Sequence, residues 1–105
     1  MSKGGYHGGL DTFSKDSKVT ANCINASHNF VIAPYNDIKA LDMIVACIFL
    51  ELMQGSSGCL PADIEFVKAT QTKATEVGAV LMFDEVITSR MSIGGLQTLH
   101  EVYPT

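Results

Sequence analysis

The sequence predicts an α/β fold built on a short parallel sheet threaded β-α-β-α-β, and three observations predict it. Uncharged, mostly apolar runs of strand length occur at residues 30–33, 45–50 and 79–83. The segments between them carry apolar residues at offsets close to three and four, the spacing of one helical face. Two of the runs stop on acids, Glu51 and Asp84. Unbroken runs, as opposed to alternating ones, are the pattern of strands covered on both faces in a parallel sheet.

Residues 1–28 read as a loop-rich segment, because the opening MSKGGYHGGL is polar and rich in glycine. The core is residues 29–90. Pro34 ends the first strand. Asn36 is placed to cap a helix, with Asp37 in its first turn, where a carboxylate complements the helix dipole. Ile38, Leu41 and Ile44 form the apolar side of that helix. The second strand runs to Glu51, and the loop Gln54-Gly55-Ser56-Ser57-Gly58 that follows reads as polar and flexible. Pro61 suits the first turn of the next helix, and Asp63 and Glu65 lie near its N-terminus. Ile64, Val67, Gln71, Ala74 and Val77 mark its apolar face, and Gly78 is a natural terminator. The third strand then runs to Asp84. Residues 91–105, with Gly94-Gly95 and Pro104, read as an irregular tail with room for one short helix.

Composition narrows the function. A hydrophobic content of 47% and a charged content of 17% describe a globular chain. The net charge is -4, and the 7 Lys and Arg residues are scattered, which argues against a nucleic-acid partner. The longest apolar stretch, residues 43–50, is far too short to cross a bilayer, and the N-terminus lacks the apolar run of a signal peptide. Cys23, Cys47 and Cys59 show no metal or redox spacing, so reduced thiols in a cytoplasmic protein are expected. His7 and His28 have no ligand partner at a telling spacing, so no metal is expected.

Glu51 and Asp84 should emerge together at the carboxyl end of the sheet, where ligands gather in α/β folds. That convergence argues for a binding site. By itself it also fits acids that cap helices or face solvent.

The motifs around these acids sharpen the reading. Gly5-Tyr6-His7-Gly8, Ala33-Pro34-Tyr35-Asn36-Asp37, Glu51 with Gln54-Gly55-Ser56-Ser57-Gly58, Pro61-Ala62-Asp63, and Phe83-Asp84-Glu85-Val86-Ile87-Thr88-Ser89-Arg90 follow one another in order. Together they resemble the class III pyridoxal-phosphate-dependent aminotransferases, in the branch of glutamate-1-semialdehyde aminomutase and related fungal and bacterial transaminases. The resemblance runs from Gly4 to Thr105 and implies a middle piece of the large domain of a fold-type I enzyme. The family's reaction is transfer or intramolecular shift of an amino group through aldimine and ketimine intermediates.

By that resemblance the cofactor is pyridoxal 5'-phosphate, and Asp84 matches the aspartate paired with its pyridine nitrogen. A carboxylate there keeps the ring nitrogen protonated, so the ring accepts electron density from the substrate carbon. Tyr6 matches the aromatic residue stacked on the ring, and Val86 the branched residue on its opposite face. Glu51 matches an acid on the substrate side, although Leu52 follows it where proline is usual. Glu85 and Arg90 read as structural, a pair near the strand end, and the Arg90 match needs a one-residue gap.

The family's Schiff-base lysine lies downstream of the aspartate strand and its phosphate loop precedes Tyr6; neither is matched here. Lys3, Lys15, Lys18, Lys39, Lys68 and Lys73 all read as solvent-facing. The implication is a chain that does not catalyse the reaction alone. Open sheet edges favour a dimer or pairing with a full-length homologue, and the alternative is a truncated paralogue acting as an interaction module. A flavodoxin-like signalling domain would need a second cluster of strand-end acids and a later strand ending in lysine, and the sequence has neither.

Overall fold

The computed structural model describes residues 31, 33–42, 45–55 and 57–105. Its first element is a short 3-10 helix, Ile38–Leu41. Asp37, not Asn36, caps it: the Asp37 carboxylate accepts the Lys39 N–H at 3.0 Å. Asn36 adopts the left-handed conformation, with φ 58°, which its short polar side chain tolerates. Of residues 30–33 only Val31 and Ala33 are described, and neither belongs to a strand. The parallel sheet among the described residues therefore has two strands where three were predicted.

Strand β1 is Cys47–Glu51. A tight hairpin follows, with β2 (Met53–Gln54) antiparallel to β3 (Leu60–Pro61). The predicted flexible loop is thus anchored: Gln54 is buried, and the N–H groups of Gly58 and Cys59 both donate to the Gly55 carbonyl. Pro61 sits in β3, outside the helix it was predicted to open.

Helix α1 spans Ile64–Val77. Its start is set by a residue far away in sequence. The Asn36 side-chain oxygen accepts the Asp63 N–H at 2.9 Å, while the Asn36 amide donates to the Pro61 carbonyl at 3.3 Å. Phe66, Val67, Thr70 and Ala74 form the buried face, which includes Val67 and Ala74 of the predicted stripe. Thr70 is accommodated there because its hydroxyl donates to the Phe66 carbonyl. Gly78 ends α1 at φ 69°, its N–H donating to the Ala74 and Thr75 carbonyls, as predicted.

Strand β4, Val80–Asp84, returns parallel to β1 with Cys47 opposite Val80 and Glu51 opposite Asp84. One sheet face carries Leu50 and Leu81. Leu50 packs with Phe66 and Val67 of α1 and with Leu96 and Val102, and Leu81 packs with Ala74 and Ala79. The other face is open: Val80 is 49% and Met82 42% exposed. The prediction of burial on both faces thus holds for one face alone within the described residues. The apolar run reads as doubly covered because Val80 and Met82 are as apolar as Leu81, and helix cover lies only behind Leu81.

After β4 come a 3-10 helix, Thr88–Met91, and helix α2, Gly95–His100. The one short helix allowed for in the tail is α2. Residues beyond it are held firmly: Val102 is fully buried, and Thr105 lies along β4, its N–H donating to the Leu81 carbonyl and its hydroxyl accepting the Leu81 N–H.

Candidate functional site

Parallel pairing brings the two strand-end acids together. Glu51 and Asp84 are register partners at the carboxyl end of the sheet, and residues so paired project from the same face. That face is the open one, shared with Val80 and Met82. Beyond Asp84 the chain turns at once, and the Asp84 carboxylate accepts the Val86 N–H at 2.9 Å. Val86 itself is 80% exposed. An apolar side chain therefore stands uncovered beside a carboxylate.

Three supports hold this end of the sheet. The Tyr35 hydroxyl donates to the Glu51 carbonyl at 2.8 Å, and the Tyr35 ring packs on Phe66 with centroids 5.8 Å apart. Burial pushes the Tyr35 hydroxyl pKa well up, and the negative charges of Glu51 and Asp63 add to the effect. Gly55 lets the hairpin loop touch the turn after β4, since a Cβ there would run into the Ile87 side chain. The third support is Glu85. Its carboxylate accepts the Leu96 N–H at 2.7 Å, the Gln97 N–H at 3.0 Å and the Thr88 hydroxyl at 2.7 Å.

The structure thus gathers Asp84, Val86 and Glu51 at one place. Tyr6 lies outside the described residues, as do His7 and His28. The predicted pairing of Glu85 with Arg90 is replaced by the pairing with α2 and Thr88: two N–H groups at the start of α2, which have no partner within the helix, and the hydroxyl of buried Thr88 converge on the carboxylate. Sequence reasoning assigned Asn36 to the wrong helix and missed the supporting roles of Thr88 and Gly95. Asn36 beside a proline-tyrosine turn, and the Gly94-Gly95 pair ahead of an apolar helix, were the available signals.

Among the described lysines, Lys39 and Lys68 are exposed, and Lys73 pairs with Asp42 at 3.7 Å. No group of three metal-ligating side chains occurs among the described residues, and no described helix is long and apolar enough to cross a membrane. A carboxylate next to an uncovered apolar side chain offers a cation a counter-charge and an apolar surface side by side.

This parallel strand pair with its crossover helix superposes on solved transaminases. The chain superposes on the crystal structure of a β-phenylalanine aminotransferase from Variovorax paradoxus with a TM-score of 0.79 and 38% identity, over 98% of this chain and 24% of that one. A transaminase solved with PLP bound gives a TM-score of 0.75 at 26% identity, over 98% of this chain and 28% of the other. No family model matches the sequence. Among curated proteins, the V. paradoxus β-phenylalanine transaminase is 40% identical over 100 residues, 89% of this chain and 22% of the relative. A glutamate-1-semialdehyde 2,1-aminomutase of Desulfotalea psychrophila is 35% identical over 119 residues, 96% of this chain and 28% of the relative. The chain belongs to the class III aminotransferase family. It spans about a quarter of the length of the relatives it matches.

Proposed function

We propose that these residues form the ring-nitrogen side of a pyridoxal phosphate site in an aminotransferase or aminomutase. The observation that carries this reading is the register of Glu51 against Asp84, with Val86 uncovered beside them. When bound, pyridoxal phosphate supplies an electron sink for negative charge developing at the substrate carbon. Asp84 holds the proton on the ring nitrogen. Val86 packs one ring face and keeps water from it, and by the family resemblance Tyr6 packs the other. Glu51 lies on the substrate side, its main chain anchored by Tyr35. By the family resemblance the lysine that carries the amino-transfer step lies outside the described residues, whose own lysines are exposed or engaged by Asp42.

Titrating pyridoxal phosphate against the wild-type chain and Asp84→Ala tests the reading. Wild-type binding weakened tenfold or more in Asp84→Ala supports it; equal binding by both forms refutes it. Borohydride reduction adds a second readout. Stoichiometric fixation of the cofactor on one lysine of this chain would contradict the need for an outside lysine.

A second reading, a non-catalytic module that docks on a full-length relative, is favoured by the open face around Val80 and Met82. The exposed free thiols Cys47 and Cys59 accord with a reducing, cytoplasmic setting for either reading.

A further inference from the structure

We propose that Glu85 is a positioning residue that sets the orientation of Asp84, and that it does so by gripping the start of α2; the proposal rests on the reading of Asp84 as the cofactor partner. The Glu85 carboxylate is engaged by residues outside the candidate site. It points away, onto the N–H groups of Leu96 and Gln97 and the hydroxyl of Thr88. Thr88 is buried, as are Gly95 and Leu96, so these charge-assisted bonds are partly shielded from competing water.

The consequence falls on the residues either side of Glu85. Its own carbonyl accepts the Ser89 N–H at 2.9 Å, which closes the turn. Within that turn the Val86 N–H is aimed back at the Asp84 carboxylate. Asp84 therefore takes its direction from a turn whose shape is set by a carboxylate one residue on, bonded eleven and twelve residues further along the chain. Gly95 is part of the device. A Cβ at that position would lie 2.6 Å from both Glu85 carboxylate oxygens, and its φ of +78° suits glycine besides.

The test compares the full chain with Glu85→Gln, Gly95→Ala and Thr88→Val. NMR follows the Val86 amide proton, with the amides of Val67 and Ala79 reporting that the fold survives, and pyridoxal phosphate affinity is measured in parallel. Glu85→Gln turns one acceptor into a donor facing N–H groups, and Gly95→Ala displaces the carboxylate without altering it. Both are expected to speed Val86 exchange at least about tenfold and to weaken pyridoxal phosphate binding by about tenfold, with Val67 and Ala79 unchanged. Thr88→Val, which removes one of three donors, gives a smaller shift in the same direction and decides the matter where the other two lose the fold. Unchanged Val86 exchange in the variants overturns the proposal. Should the wild-type chain take up no pyridoxal phosphate, the cofactor reading falls by itself, and Val86 exchange still decides whether Glu85 orients Asp84.

Discussion

Tyr35 shows how one side chain holds the site from behind. Its hydroxyl ties the carboxyl end of β1, and its ring closes the core against Phe66. Tyr35→Phe keeps the ring and loses the hydrogen bond, so about 1 kcal/mol of stability is expected to go, measurable by urea denaturation. The pH dependence has a definite sign. The folded state prefers the neutral phenol, so its pKa lies above the unfolded value near 10. The contribution is intact below about pH 10 and is lost as the pH rises toward the folded pKa. Wild type should therefore lose stability above pH 10 more steeply than Tyr35→Phe does, and parallel curves for the two would refute this.

At the scale of elements, what could be read from the sequence was whatever is local. Gly78 ends α1 because a glycine after an apolar helical stripe favours the left-handed cap. The convergence of Glu51 and Asp84 was legible because both follow apolar runs of strand length, and parallel pairing does the rest. Side-chain hydrogen bonds distant in sequence were not legible. Asn36 beside the proline-tyrosine turn and Gly94-Gly95 ahead of α2 mark special positions, but neither names its distant partner, Asp63 for Asn36 and Glu85 for α2. The open face of the sheet was misread for the same reason, since an apolar residue does not announce which neighbour covers it.

Two element-scale predictions follow from packing. Leu81 is fully buried between the sheet and α1, so Leu81→Ala should cost roughly 2–5 kcal/mol by chemical denaturation. For a domain of total stability about 5–15 kcal/mol that is a severe loss. Gly55→Ala places a methyl group against Ile87 and should push the hairpin loop off the turn after β4. Pyridoxal phosphate affinity should fall in Gly55→Ala and recover in the double variant Gly55→Ala with Ile87→Ala, where room is restored; failure to recover would show that the two segments do not support each other.

For the whole molecule, the uncovered Val80, Met82 and Val86 lie on or beside the face where Glu51 and Asp84 emerge. Self-association through that face is expected to rise with concentration. Val80→Lys with Met82→Lys should abolish it while leaving folding within about 1 kcal/mol, as sedimentation velocity and denaturation would show. The central claim remains electrostatic: the carboxylate at the end of β4 keeps a pyridine nitrogen protonated. The most direct measurement is the nitrogen NMR shift of ring-labelled pyridoxal phosphate bound to wild type and to Asp84→Asn, followed across neutral and mildly alkaline pH. The account predicts a protonated ring nitrogen throughout in wild type and its loss in Asp84→Asn, and the same shift in both proteins would contradict it.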